Sequence, residues 1–113
     1  MQPTITDAYM QQMRAKAREY CLVILHVGPQ YTQPGAQQII WEHGRRNHAL
    51  RVEGVLAIVC PINDGSDLSG LALFNAGPDE TVRIMDDDPG VQAGVFVYEV
   101  HICRGFPGDR LPQ

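Results

Sequence analysis

Residues 20–27 read YCLVILHV, and residues 93–103 read AGVFVYEVHIC. The first stretch is a continuous apolar run rich in β-branched residues. It is short for a helix and is closed by Gly28-Pro29, which marks a strand buried on both faces. In the second, Phe96, Tyr98, Val100 and Ile102 alternate with Val95, Val97, Glu99 and His101. In the first, Cys21, Val23, Leu25 and Val27 alternate with Tyr20, Leu22, Ile24 and His26. Neither strand has a wholly polar side, whereas a sheet face open to water alternates apolar and polar cleanly. Both faces of the sheet are therefore expected to be covered.

Working outward from these strands, residues 36–53 carry helical periodicity. Ala36, Ile39, Ile40, His43, Asn47 and Leu50 share one face, and Gly54 is suited to stop the helix. Gly44 inside it costs roughly 1 kcal/mol against Ala, so an irregularity is expected there. Val55–Cys60 and Gly70–Asn75 read as two further strands around the loop 63–70. Pro78 opens a short helix, PDETVRIMDD, with Val82 and Met85 expected in the core. The order is βαββαβ, the ferredoxin-like split pattern of an α+β domain.

Before this unit, residues 5–19 read as a helix capped at Thr6 or Asp7, with Ile5, Tyr9, Met13 and Ala17 on one stripe. The chain divides into an N-terminal helical arm (1–19), the ferredoxin-like domain (20–103) and a Pro/Gly tail (104–113). Two solutions cover the second sheet face. An identical subunit can pack its sheet against it by two-fold symmetry, giving a homodimer. Alternatively, the N-terminal helix lies across it.

Composition narrows the function classes. The chain has 113 residues, enough for one domain. It is 44% hydrophobic and 19% charged, which excludes a charge-rich disordered chain. Its net charge of −4 argues against nucleic-acid and membrane-surface partners. No apolar run approaches the ~18 residues of a membrane span, and MQPTITDAYMQQ lacks the basic-then-apolar order of a signal peptide. Cys21, Cys60 and Cys103 cannot all pair within one chain and lie in apolar strands. A reduced, cytoplasmic protein is the expectation.

Three groups are candidates for chemistry. His43 points inward from an apolar helix face, and imidazole titrates nearest neutrality, which suits proton transfer. A buried structural histidine satisfied by a backbone carbonyl is the competing reading. Asp88 stands before Pro89, which moves it out of the helical region. It is placed either to orient a histidine or simply to start the turn into the last strand, with Asp86 and Asp87 in solvent. Glu99 and His101 share a sheet face by parity, His26 on the neighbouring first strand could join them, and the three either line a ligand cavity or form a structural hydrogen-bond cluster. No metal is expected: His43 and His48 are five apart, and no Cys pair has CxxC spacing. A cysteine nucleophile is disfavoured, because apolar surroundings keep thiols protonated.

Two motifs carry a resemblance to a family. One runs from His43 through Gly54 to Cys60-Pro61. The other is DDPGVQAGVFVYEVHIC, an Asp-Pro, a Gly and then a strand. Together they resemble the YCII-related (YciI-like) proteins over about residues 20–103. The resemblance implies a dimeric α/β barrel with two sheets face to face, and an active site built around a His and an Asp, here His43 and Asp88. It also implies lyase or isomerase chemistry on ring-derived small molecules, as in a dehydrochlorinase for a hydroxylated chloroaromatic; muconolactone isomerases are similar barrels. The chain departs from the pattern at Gly44, Arg46, Cys60 and Gly90, and it adds the N-terminal helix.

The leading expectation is a small enzyme that transfers protons without a cofactor on a small cyclic or aromatic-derived compound. His43 would be the general acid/base, Asp88 its orienting partner, and His26, Glu99 and His101 the substrate-binding groups. The alternative is a non-enzymatic dimeric module that binds a small organic ligand or a protein.

Overall fold

The computed structural model describes all 113 residues. Helix α1 (Asp7–Lys16) comes first. Strand β1 (Arg18–Val27), helix α2 (Ala36–Val52) and strands β2 (Leu56–Pro61) and β3 (Leu68–Phe74) follow. The chain then forms α3 (Pro78–Asp86), the single turn α4 (Pro89–Gln92) and strand β4 (Phe96–Gly105). The four strands make one antiparallel sheet in the order β2-β3-β1-β4, the ferredoxin-like topology. β1 and β4 pair along their whole length, from Arg18 opposite Gly105 to Val27 opposite Phe96.

α2 and α3 lie on one face of the sheet. Cys21, Val23 and Leu25 of β1, Leu56, Phe74 and Phe96 meet Ala36 and Leu50 of α2 and Met85 of α3 in the core. Gly54 stops α2 with a positive φ of 81°, and Gly44 does not break the helix. In α3 the inward residues are Thr81 and Met85, whereas Val82 is exposed. The expected core position therefore moves by one residue. Thr81 tolerates burial because its hydroxyl donates to the carbonyl of Gly77, one turn back (2.8 Å).

The other face of the sheet is uncovered in the single chain. Leu22 and Ile24 of β1, Ile58 of β2, Leu73 of β3 and Val97 of β4 lie on it. A bulge between Leu56 and Ile58 turns Ile58 to this side. Val97 is 47% exposed, and only 15 of the 113 residues are buried, so the core is confined to the helix side.

α1 does not cover the open face. Thr6 caps it by accepting from the Tyr9 N–H (3.1 Å), yet none of its residues is buried. Its apolar stripe is too sparse to hold it against the domain, and it projects as an arm. The radius of gyration, 16.5 Å, accordingly exceeds the ~13 Å of a compact chain of this size. Strand β1 begins at Arg18, inside the expected arm, and β4 runs to Gly105, inside the expected tail. The three cysteines are free, and no helix is long and apolar enough to cross a membrane.

Candidate active site

α2 places His43 over the sheet, with its ring 4.8 Å from that of Phe96 on β4. The Nδ1–H of His43 donates to Asp88 Oδ1 at 2.8 Å. A carboxylate can only accept, so this contact sets the tautomer: the proton sits on Nδ1, and Nε2 carries the lone pair. Asn47, one turn along α2, donates its amide N–H to that lone pair at 3.2 Å.

Asp88 is 1% exposed and fully satisfied. Its Oδ2 accepts from the N–H groups of Gly90 (2.9 Å) and Val91 (3.2 Å), which makes it the N-cap of α4. Its Oδ1 also faces Arg46 at 3.5 Å. The turn expected to lead directly into the last strand is instead this one-turn helix. A carboxylate that would be unfavourable at the end of α3 becomes favourable at the start of α4. Burial pushes the Asp88 carboxyl up. The His43 hydrogen bond and charge, with the N–H groups of Val91 and Gly90, outweigh burial and hold it below the ordinary value. Gly90 is required by close approach, since a Cβ there would lie 2.5 Å from the Phe96 ring and 3.0 Å from Asp88 Oδ2.

Beside the pair lies a cleft of about 200 Å³. Ile40, His43 and Asn47 of α2 form one wall; Val23, Val59 and Phe74 of the sheet form the other. An apolar cavity of about 150 Å³ holds a benzene ring, so this cleft matches a single-ring compound in size and character.

The remaining expected site residues are gathered, but elsewhere. His26 donates from Nε2 to Glu99 Oε1 (2.7 Å), and His101 donates from Nε2 to Glu99 Oε2 (2.8 Å). These hydrogen bonds, His26 first, lower the Glu99 pKa. His26 pairs with Val97, and Ile24 with Glu99, on the face turned away from the helices. Strand parity therefore separates this cluster from His43, and none of the three lines the cleft. The expectation that they share one pocket with His43 is corrected for the single chain.

Asp86 is not simply solvated: it accepts from the Tyr98 hydroxyl at 2.6 Å. Burial and the Asp86 carboxylate push that phenol up to about 12. His48 stands apart from His43, its Nδ1 accepting from Arg51 (3.0 Å). No three His, Cys, Asp or Glu side chains converge as a metal site requires.

Asn47 and Arg46 are site residues that received no role from the sequence. A signal for Asn47 was present, because i+4 on a helix lies beside His43. Arg46 had none: it reaches Asp88 from off the apolar stripe.

No protein-family model matches the chain, and no curated protein matches it. Among solved structures, it is similar to a 5-chloro-2-hydroxyhydroquinone dehydrochlorinase from Burkholderia phenoliruptrix AC1100, in complex with 2,5-dihydroxybenzoquinone. The TM-score is 0.47 at 21% identity, over 72% of this chain and 90% of that one. The fold assignment rests on this chain's own strand order and register.

Proposed function

We propose that the chain is a YCII-like proton-transfer enzyme of lyase or isomerase type, acting on a small cyclic or aromatic-derived compound with its own side chains alone. The observation that carries this reading is the 2.8 Å contact between His43 Nδ1 and buried Asp88 beside an apolar cleft. In this mechanism a substrate in the cleft displaces the Asn47 amide and offers an acidic C–H to Nε2. His43 takes the proton as general base, and Asp88 stabilises the imidazolium while holding its ring in place. Returning the proton to another carbon completes an isomerisation; loss of a leaving group completes an elimination. Asp88 is a positioning residue, already ionised and held by two backbone N–H groups, so it does not need to take up the proton.

The test is hydrogen exchange at carbon. A panel of cyclic 1,3-diones, lactones and hydroquinones is incubated with the protein in D₂O, and loss of the C–H signal is followed by proton NMR. Exchange that is present in wild type and falls about 100-fold or more in His43→Gln supports the reading. Exchange that survives the substitution overturns it. A binding module without chemistry is favoured by one contact, the Asn47 amide that already occupies Nε2. It becomes the better account if compounds bind and none exchanges.

The same reading includes a homodimer. Leu22, Ile24, Ile58, Leu73 and Val97, with the His26–Glu99–His101 cluster among them, form a largely apolar sheet face that a second copy would bury by two-fold symmetry. Such an interface would bury on the order of 2,000 Å² in total. A purely monomeric species in sedimentation at micromolar concentration would remove this element.

A further inference from the structure

Gly44 has no packing reason to be glycine. It sits mid-helix in α2, where glycine costs roughly 1 kcal/mol against alanine. Its φ is not positive, and a Cβ built there meets no atom within 4 Å. That Cβ would meet open space, at a residue that two hollows have in common. Gly44 and Ile40, one turn apart, line both the cleft beside His43 and a groove on the outer side of α2. The groove is walled by Tyr31, Trp41, Arg45 and His48. The rings of Tyr31 and Phe96 lie 6.1 Å apart, and those of Phe96 and His43 4.8 Å apart, so aromatic surface runs from groove to cleft.

The groove also has a sign. The chain is acidic overall, but α2 carries three arginines against one glutamate. Arg45, which lines the groove, spends only its Nε on Glu42 (3.1 Å), and its terminal N–H groups make no hydrogen bond within the chain. The Nδ1 of His48 accepts from Arg51, so the Nε2 of its ring carries a proton that faces no partner within the chain. No carboxylate lines the groove.

We propose that Gly44 opens the passage by which ligands reach His43, and that Arg45 at its mouth selects anionic single-ring compounds. The inference rests on the reading above only in taking the His43 cleft as a ligand site.

The test uses benzoate as the probe, with neutral benzamide and cationic benzylamine as comparisons. Trp41 is the single tryptophan and is 66% exposed, so its fluorescence reports arrival in the groove. The carbon-bound ring protons of His43 in NMR report arrival in the cleft. Benzoate is expected to quench Trp41 and shift the His43 protons, binding about threefold to fivefold more tightly than benzamide, with benzylamine weakest. Arg45→Gln should erase that preference. Gly44→Leu should melt no lower than wild type, since leucine is the better helix former. It should keep the Trp41 quench but lose the His43 shift.

Equal binding of the three probes, no binding of benzoate, or a His43 shift that persists in Gly44→Leu would overturn the proposal. Carbon exchange and benzoate entry are separate readouts. A protein that admits benzoate by this route but exchanges nothing keeps the passage and loses the enzyme. One that exchanges while excluding benzoate loses the passage alone.

Discussion

His43 with Asp88, and His26 and His101 with Glu99, are the same chemical groups at nearly the same distances. Imidazole meets carboxylate at 2.8 Å in the first and at 2.7 and 2.8 Å in the second. Their surroundings separate them. The Asp88 side chain is 1% exposed and the Glu99 side chain 46%. Two backbone N–H groups hold Asp88 in place, whereas Glu99 has only its two histidines. In the single chain, water and salt screen the second cluster and scarcely reach the first. Proximity of a histidine and a carboxylate therefore does not by itself make a catalytic pair. Removal from water, an anchored carboxylate and a neighbouring cleft distinguish the His43 pair, the one proposed above to act on a substrate.

The largest effect is expected on stability. Asp88→Ala strips the cap from α4 and leaves the His43 Nδ1–H and Arg46 without their acceptor. A loss of about 3 kcal/mol or more follows, read from the urea midpoint. Glu99→Ala should cost far less, because Glu99 caps no helix and accepts from no backbone N–H. Equal losses in the two variants would break the comparison.

A smaller effect appears on the acid side. Asp88 has a folded pKa below its unfolded value of about 3.9. Its contribution to stability is therefore complete above that value and is lost as pH falls through the folded one. Asp88→Asn retains the cap, since asparagine caps as well as aspartate, but no longer titrates. The stability of wild type should therefore fall below about pH 4 more steeply than that of Asp88→Asn. Glu99→Gln should flatten this limb less, although the Glu99 pKa is lowered as well. Urea titrations at several pH values check both, and a wild-type slope retained in Asp88→Asn would show that Asp88 is not the group responsible.

The smallest effect is expected from removing residues 2–16. α1 buries nothing, and the strand that pairs with β4 starts at Arg18. The shortened chain should keep one cooperative thermal transition at an unchanged midpoint. Loss of cooperativity would place the arm within the folding unit.

Much of the architecture is legible in the residues. The β-branched runs at 20–27 and 93–103 mark strands β1 and β4, which pair along their whole length. The shared side of Glu99 and His101 follows from a period of two, whereas the register of β1 against β4 brings His26 to it. The inward direction of His43 and Asn47 follows from a period of 3.6. Two details of the last third were not legible. α4 exists because the Asp88 side chain caps it, and a four-residue helix carries too short a pattern to announce itself. In α3, Thr81 took the core position expected of Val82 because its hydroxyl found the Gly77 carbonyl, a contact that hydrophobicity alone does not weigh.

The sequence by itself thus determined the ferredoxin-like order of elements, the alternation within each strand and the two residue types able to share a proton. These follow from local periodicity and turn chemistry, which act over a few residues. It did not determine which side of the sheet the helices take, because both sides of β1 and β4 carry apolar residues. Tertiary packing made that choice, and with it put His43 against Asp88 across 45 positions while sending Glu99 to the far face. A hydrogen bond between residues so distant in the chain depends on how whole elements dock, and docking minimises exposed apolar area over the entire sheet rather than over any one segment.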